Sequence, residues 1–258
     1  MGQLPFFTFF FTATAPGPLH TRAPGTTPTS YSIENTYAFP NSPATAPNPT
    51  RCTIRFMRTL AFLTLATLPL FAADPQMTGD ERQKLIALLE DSRAQLRAAT
   101  KDLTPAQWKF QPGPERWSIA LVTEHIMRTE AGLYQYVERA LAATPNPDWE
   151  TKTKGKTEFL ERVMPSRTGK AQAPVEVRPE GKLSPEEILA SFEKLRARTL
   201  ETARTTDQPV KALTADHPFP VFGTLNAYQW LVYIPWHTQR HLKQIEEVKA
   251  AEGYPRRP

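Results

Sequence analysis

Residues 224–251 read TLNAYQWLVYIPWHTQRHLKQIEEVKAA, and this stretch decides the fold. Ile234, His237, His241, Ile245 and Val248 recur at intervals of three and four. That spacing puts all five on one face of an α-helix. The helix is expected from about Thr224 to about Ala251, with Gly253 and Pro255 stopping it and Pro235 inside it as a kink point. Trp230, Tyr233 and Trp236 read as core and edge packing. Two imidazoles, His237 and His241, stand where the stripe calls for apolar residues.

Working back along the chain, the same period recurs three more times. Thr78-Gly-Asp-Glu81 is a capping box, in which the Thr hydroxyl accepts an orphan backbone N–H and Glu81 reaches back to the cap. Leu85, Leu89, Ser92, Leu96 and Ala99 then mark a first helix to about Lys101. Thr104-Pro-Ala-Gln107 begins a short capped turn that carries Trp108 and Phe110, and Gln111-Pro-Gly-Pro114 breaks the chain. Ser118 is the next N-cap, with Trp117 and Val122 placed as a hydrophobic staple across it. Val122, Ile126, Leu133, Val137 and Ala140 carry a second helix to about Ala143.

Residues 148–183 are a polar connection with one helical turn near 159–163, longer than most connections and therefore a functional loop or a crossover. Ser184-Pro-Glu-Glu187 starts a third helix, lined by Ile188, Phe192, Leu195 and Thr199 and fading near Thr205. No segment alternates like a strand bounded by hairpin turns, and there is no internal repeat. Four amphipathic helices, with a long connection between the second and third, predict an all-α four-helix bundle over residues 74–258.

Residues before 74 have a different character. The chain has 258 residues, 40% apolar and 22% charged, with net charge +5, 26 Pro and one Cys. Residues 1–56 are rich in Thr, Pro, Ser and Ala and lack apolar periodicity, so they read as a disordered leader or an upstream extension of the reading frame. Met57-Arg58, the apolar run Leu60 to Phe71 and Ala72-Ala73 have the three parts of a signal peptide over 57–73, with Met57 as the start. Phe71 stands where such a site usually has a small residue. The expectation is a periplasmic or secreted protein that begins near Asp74 and keeps no membrane anchor, or a cytoplasmic one if the signal does not function.

Charge and cysteine content follow the same division. Four arginines against Glu34 alone give residues 1–73 a charge of +3, which leaves +2 for residues 74–258, where no helix carries a Lys/Arg cluster. Nucleic-acid binding has no support from this pattern. Cys52 is the single cysteine, which excludes an intramolecular disulfide framework and any Cys-rich zinc module.

The remaining candidate chemistry is histidine. His237 and His241 are four apart on one helix face, and His125 lies beside Val122 and Ile126 on the second helix, toward one margin of its apolar face. Burying several imidazoles costs free energy unless each nitrogen has a partner, and one divalent ion satisfies three at once. Three His ligands with a fourth position open is a catalytic zinc arrangement, and the same donors suit nickel, iron or copper. On spacing alone, two hydrogen-bonded core histidines are an equal reading. Glu124, Glu130, Gln239, Arg240, Gln244 and Tyr134 are near in sequence. A carboxylate among them could hold a free imidazole N–H. A solvated helix face is the simpler account of Glu124 and Arg240.

Leu103-Thr-Pro-Ala-Gln-Trp108, Pro114-Glu-Arg-Trp117-Ser118-Ile119, Glu124-His125-Ile126 and His237-Thr-Gln-Arg240-His241-Leu-Lys-Gln244-Ile245 together resemble the DinB-like superfamily, over residues 78–251. The resemblance implies an up-and-down-type four-helix bundle with a divalent metal ion (zinc, nickel or iron) on His125, His237 and His241. Some members of that superfamily are thiol-dependent S-transferases or isomerases, and an ion on these histidines that activates water or a thiol predicts a metal-dependent hydrolase or a thiol-type S-transferase acting on a small-molecule substrate, the alternative being a non-catalytic, stress-related bundle with a structural metal. An exported chain would lie away from a cytosolic thiol cosubstrate. A homodimer is compatible with either reading.

Overall fold

The computed structural model describes residues 73–168 and 172–256. The leader and the signal segment expected over 1–73 lie outside them, except for Ala73. Helix α1 spans Gly79–Thr100, and its Thr78 cap accepts from the Glu81 N–H at 3.2 Å while the Glu81 carboxylate accepts from the Thr78 N–H at 2.8 Å. Helix α2 is the short capped turn Pro105–Lys109, and α3 is Ile119–Leu141, capped by Ser118. The connection holds more structure than its composition suggests: α4 Trp149–Thr153, α5 Lys156–Val163 and a 3-10 turn Val175–Val177. Helix α6 is Pro185–Thr205, with the Ser184/Glu187 capping box in place.

The last helix, α7, is Ala227–Lys249 and starts three residues later than its periodicity implied. Thr224–Asn226 is instead a short strand, β2, paired antiparallel with β1, Thr214–Asp216. The expectation of no strand is corrected by this small hairpin. Its alternation is too brief to register in the sequence, and Asn226 ends the strand while serving as N-cap, accepting from the Gln229 N–H at 2.8 Å. Among the described residues, no helix is long and apolar enough to cross a membrane.

The four long helices make a bundle, but its connectivity differs from the up-and-down type. Each of α1 and α3 packs against both α6 and α7, so the consecutive helices α1 and α3 lie diagonally across the bundle, as do α6 and α7. Side-chain pairs give the directions. Glu130 meets Arg196 and Tyr134 meets Thr202, so α3 and α6 run parallel. Arg82 near the start of α1 donates to carbonyls at the end of α6, and Arg97 near the end of α1 meets Glu193, so those two are antiparallel. Parallel α3 and α6 require the chain to return the whole length of α3, about 34 Å for its 23 residues. Residues 142–184, containing α4 and α5, make that return, so the long connection is a crossover.

The core has two apolar parts. One, around Leu85, Val137, Leu200, Leu225 and Trp230, fills the end near the hairpin, and the other, around Leu96, Ile119, Ile126, Phe192 and Ile245, fills the opposite end. Between them lies a buried polar layer to which every long helix contributes. The Arg196 side chain, 0% exposed, forks onto both oxygens of Glu130 at 2.9 Å and 2.9 Å. It also donates to Leu89 O and Ser92 Oγ of α1 and to Thr238 Oγ1 of α7.

Candidate metal centre

Helix α3 contributes His125 and helix α7 contributes His237 and His241, so the antiparallel packing of these two helices brings the three rings together. All three are buried, and one nitrogen from each lies within 4.8 Å of the others. Ring centroids are 5.1 Å apart for His125–His237, 4.5 Å for His125–His241 and 4.4 Å for His237–His241. Trp117, the residue before the α3 cap, packs its ring 4.9 Å from that of His125.

Partners on the far side of two rings fix their tautomers. His125 Nδ1–H donates to the Val177 carbonyl at 2.8 Å, and His241 Nδ1–H donates to Gln244 Oε1 at 2.8 Å. Both rings therefore turn an unprotonated Nε2 inward. His241 Nε2 lies 3.1 Å from His237 Nε2, a separation that calls for a shared proton or a shared cation. Two imidazole nitrogens on one tetrahedral ion are about 3.3 Å apart at ordinary zinc–nitrogen distances. The donor set thus fits a divalent ion in spacing, in ligand type and in the outward hydrogen bonds that orient such ligands.

Burial lowers all three imidazole pKa values, that of His125 to about 4 despite its bond to Val177. His237 and His241 lie well below the usual histidine value because of burial and the repulsion of a second positive ring so close by. At neutral pH the rings are uncharged, the form that binds metal.

Of the residues read as supports for the triad, Gln244 takes that place. Glu130 instead belongs to the Arg196 layer, Tyr134 hydrogen-bonds Thr202 at 2.6 Å, and Gln239 reaches Asp91 on α1. The expected carboxylate behind an imidazole is replaced by a backbone carbonyl and an amide oxygen. Two further expectations are corrected. Glu124 is 1% exposed instead of solvated, because its carboxylate accepts the backbone N–H groups of Glu180 and Gly181. Arg240 is half-buried, and the burial lowers its guanidinium pKa. His217 lies just after β1 and is buried in an aromatic cluster, stacked on Trp230 with centroids 5.0 Å apart, away from the triad's set of ring contacts. No sequence signal marks the Val177 carbonyl, since any residue offers one; Trp117 reads in the sequence as a staple and as part of the family motif, not as a neighbour of His125.

The family model of the DinB superfamily matches residues 88–245, more than half of the chain and a span that contains all three histidines. The Uncharacterized protein YuaE of Bacillus subtilis (strain 168) is 24% identical over 166 residues, covering 64% of this chain and 96% of that protein. The solved structure of YfiT from Bacillus subtilis, described as a probable metal-dependent hydrolase with an unusual four-helix bundle topology, aligns with TM-score 0.47 and 18% identity, covering 73% of this chain and 94% of that one. The chain belongs to the DinB superfamily.

Proposed function

We propose that the protein is a metal-dependent enzyme of the hydrolase or thiol-transferase kind, exported, with His125, His237 and His241 as the ligands of a zinc, nickel or iron ion. The observation that carries this reading is the convergence of three neutral imidazoles, two of them already committed at Nδ1, on one point between α3 and α7. Three protein ligands leave a position for a reacting molecule. A divalent ion held there supplies Lewis acidity and lowers the pKa of a bound water or thiol. The chain's own groups orient the ligands: Val177 and Gln244 hold two rings by their outer nitrogens, and Trp117 packs against His125. The name given to the similar YfiT structure, a probable metal-dependent hydrolase, is compatible with the proposal but concerns that protein.

A structural metal is the second reading, favoured by the burial of all three ligands, none more than 9% exposed. Against it, an extensive apolar core packs the helices at both ends of the bundle. Metal analysis of protein from its natural source, beside His237→Ala, tests the shared part: about one transition-metal ion per chain is expected in the wild type and none in the variant. Wild type without bound metal overturns both readings. A panel of esters, amides and electrophile-plus-thiol pairs separates them, with turnover expected in the wild type and lost in a folded His125→Ala. Stoichiometric metal with no turnover, and unfolding on chelation, would favour the structural reading.

A further inference from the structure

The crossover ends in a strap, residues 175–181, laid along α3 beside His125. Three features tie it down. The Val177 carbonyl accepts from His125 Nδ1 at 2.8 Å. Glu124, the neighbouring residue on α3, accepts the Glu180 N–H at Oε1 (2.9 Å) and the Gly181 N–H at Oε2 (2.8 Å). Arg128, one turn further on, pairs with the Glu180 carboxylate at 2.9 Å, lies 3.5 Å from Glu124 Oε1 and reaches the Glu176 carbonyl at 3.4 Å.

A carboxylate that is 1% exposed is costly unless its oxygens are engaged, and here both accept from backbone amides. The chain turns directly after these two amides, where Gly181 adopts φ +69°, a conformation that a side chain disfavours. Only two residues separate Val177 from Glu180. With so little slack, the position of the latched amides sets the position of the Val177 carbonyl.

We propose that Glu124 is a positioning residue of the triad: by latching the strap through the Glu180 and Gly181 amides, it holds the Val177 carbonyl against His125 and so fixes the tautomer that turns Nε2 toward His237 and His241. A carbonyl accepts only from the Nδ1–H form, so a released strap lets the proton move to Nε2, where it blocks the lone pair that a metal needs. The consequence for metal affinity rests on the metal reading of the triad, whereas the tautomer consequence does not.

The test uses the full chain and Glu124→Gln, which keeps the size of the side chain but turns an NH2 group toward one of the amides. Zinc affinity by chelator competition is expected to fall about tenfold to a hundredfold, the usual cost of losing an outer partner of a ligand. Backbone amides of 176–181 should exchange faster, and the ring 15N shifts of His125 should leave the pure Nδ1–H pattern in the metal-free protein. Gly181→Ala reaches the same latch from the strap side, since the new Cβ would sit 3.3 Å from Leu121 Cδ2 of α3 at a positive φ, and it keeps the Glu124 carboxylate itself should Glu124→Gln fail to fold. The same direction of change is expected. A His125 ring that keeps the Nδ1–H form in the folded variants, or zinc affinity within twofold of a zinc-binding wild type, overturns the latch. A wild type that binds no zinc overturns the metal reading instead, and the tautomer and exchange measurements still decide the latch.

Discussion

Replacing Arg196 by Met should destabilise the protein more than almost any other single change, and the size can be worked from the polar layer. The guanidinium has five N–H groups, and each has an acceptor: two on Glu130, one each on Leu89 O, Ser92 Oγ and Thr238 Oγ1. Methionine fills much of the same volume but leaves the Glu130 carboxylate, 2% exposed as a residue, with the Thr199 hydroxyl at 3.2 Å as its remaining side-chain donor. Removing one partner of a buried ion pair costs about 3–5 kcal/mol. For a domain of this size each kcal/mol lowers the melting temperature by about 2–4 °C, so a drop of roughly 10 °C is expected. The Arg196→Met/Glu130→Leu double variant removes both charges together and should recover most of that loss, because an apolar pair of similar volume is often neutral or better. Thermal and urea unfolding of the wild type, both single variants and the double variant form a cycle whose coupling should be several kcal/mol. A single variant that costs less than about 1 kcal/mol, or a double variant as unstable as the sum of the singles, would refute the reasoning.

Three other outcomes follow from particular residues. Burial holds the His217 imidazole at about pKa 3, below its unfolded value of about 6.5, so the neutral ring favours the fold. Its contribution is complete above about pH 6.5 and is lost toward pH 3 by at most about 1.4 kcal/mol per unit, so stability should fall less steeply with acid in His217→Gln than in the wild type; equal slopes between pH 7 and 4 would contradict this. Gly223 has φ +56°, and an added Cβ would lie 2.9 Å from the Lys156 Nζ that donates to the Phe222 and Thr224 carbonyls. Gly223→Ala should therefore cost about 1–2 kcal/mol in urea unfolding, where a neutral result would show that the turn relaxes freely. Mass spectrometry of the natural protein should find an N-terminus near Asp74, and peptides from residues 1–56 would exclude the internal start.

What the sequence determined by itself is local. Thr78, Thr104, Ser118 and Ser184 each cap the helix expected of them, because a cap bonds to an amide three residues away. The pairing of His237 with His241 was equally legible, as positions four apart share a helix face. Tertiary structure decided the rest. Glu124 reads as a surface charge, Glu130 as a neighbour of the triad, and nothing marks Arg196, yet all three are buried, since Glu130 and Arg196 find each other across 66 residues and Glu124 finds amides 56 and 57 residues away. The diagonal arrangement of α1 and α3, the parallel run of α3 and α6, and the carbonyl behind His125 likewise depend on partners remote in the chain. A helix face shows which residues are apolar but not which helix will cover it, and the burial of a charge is set by the groups that meet it there.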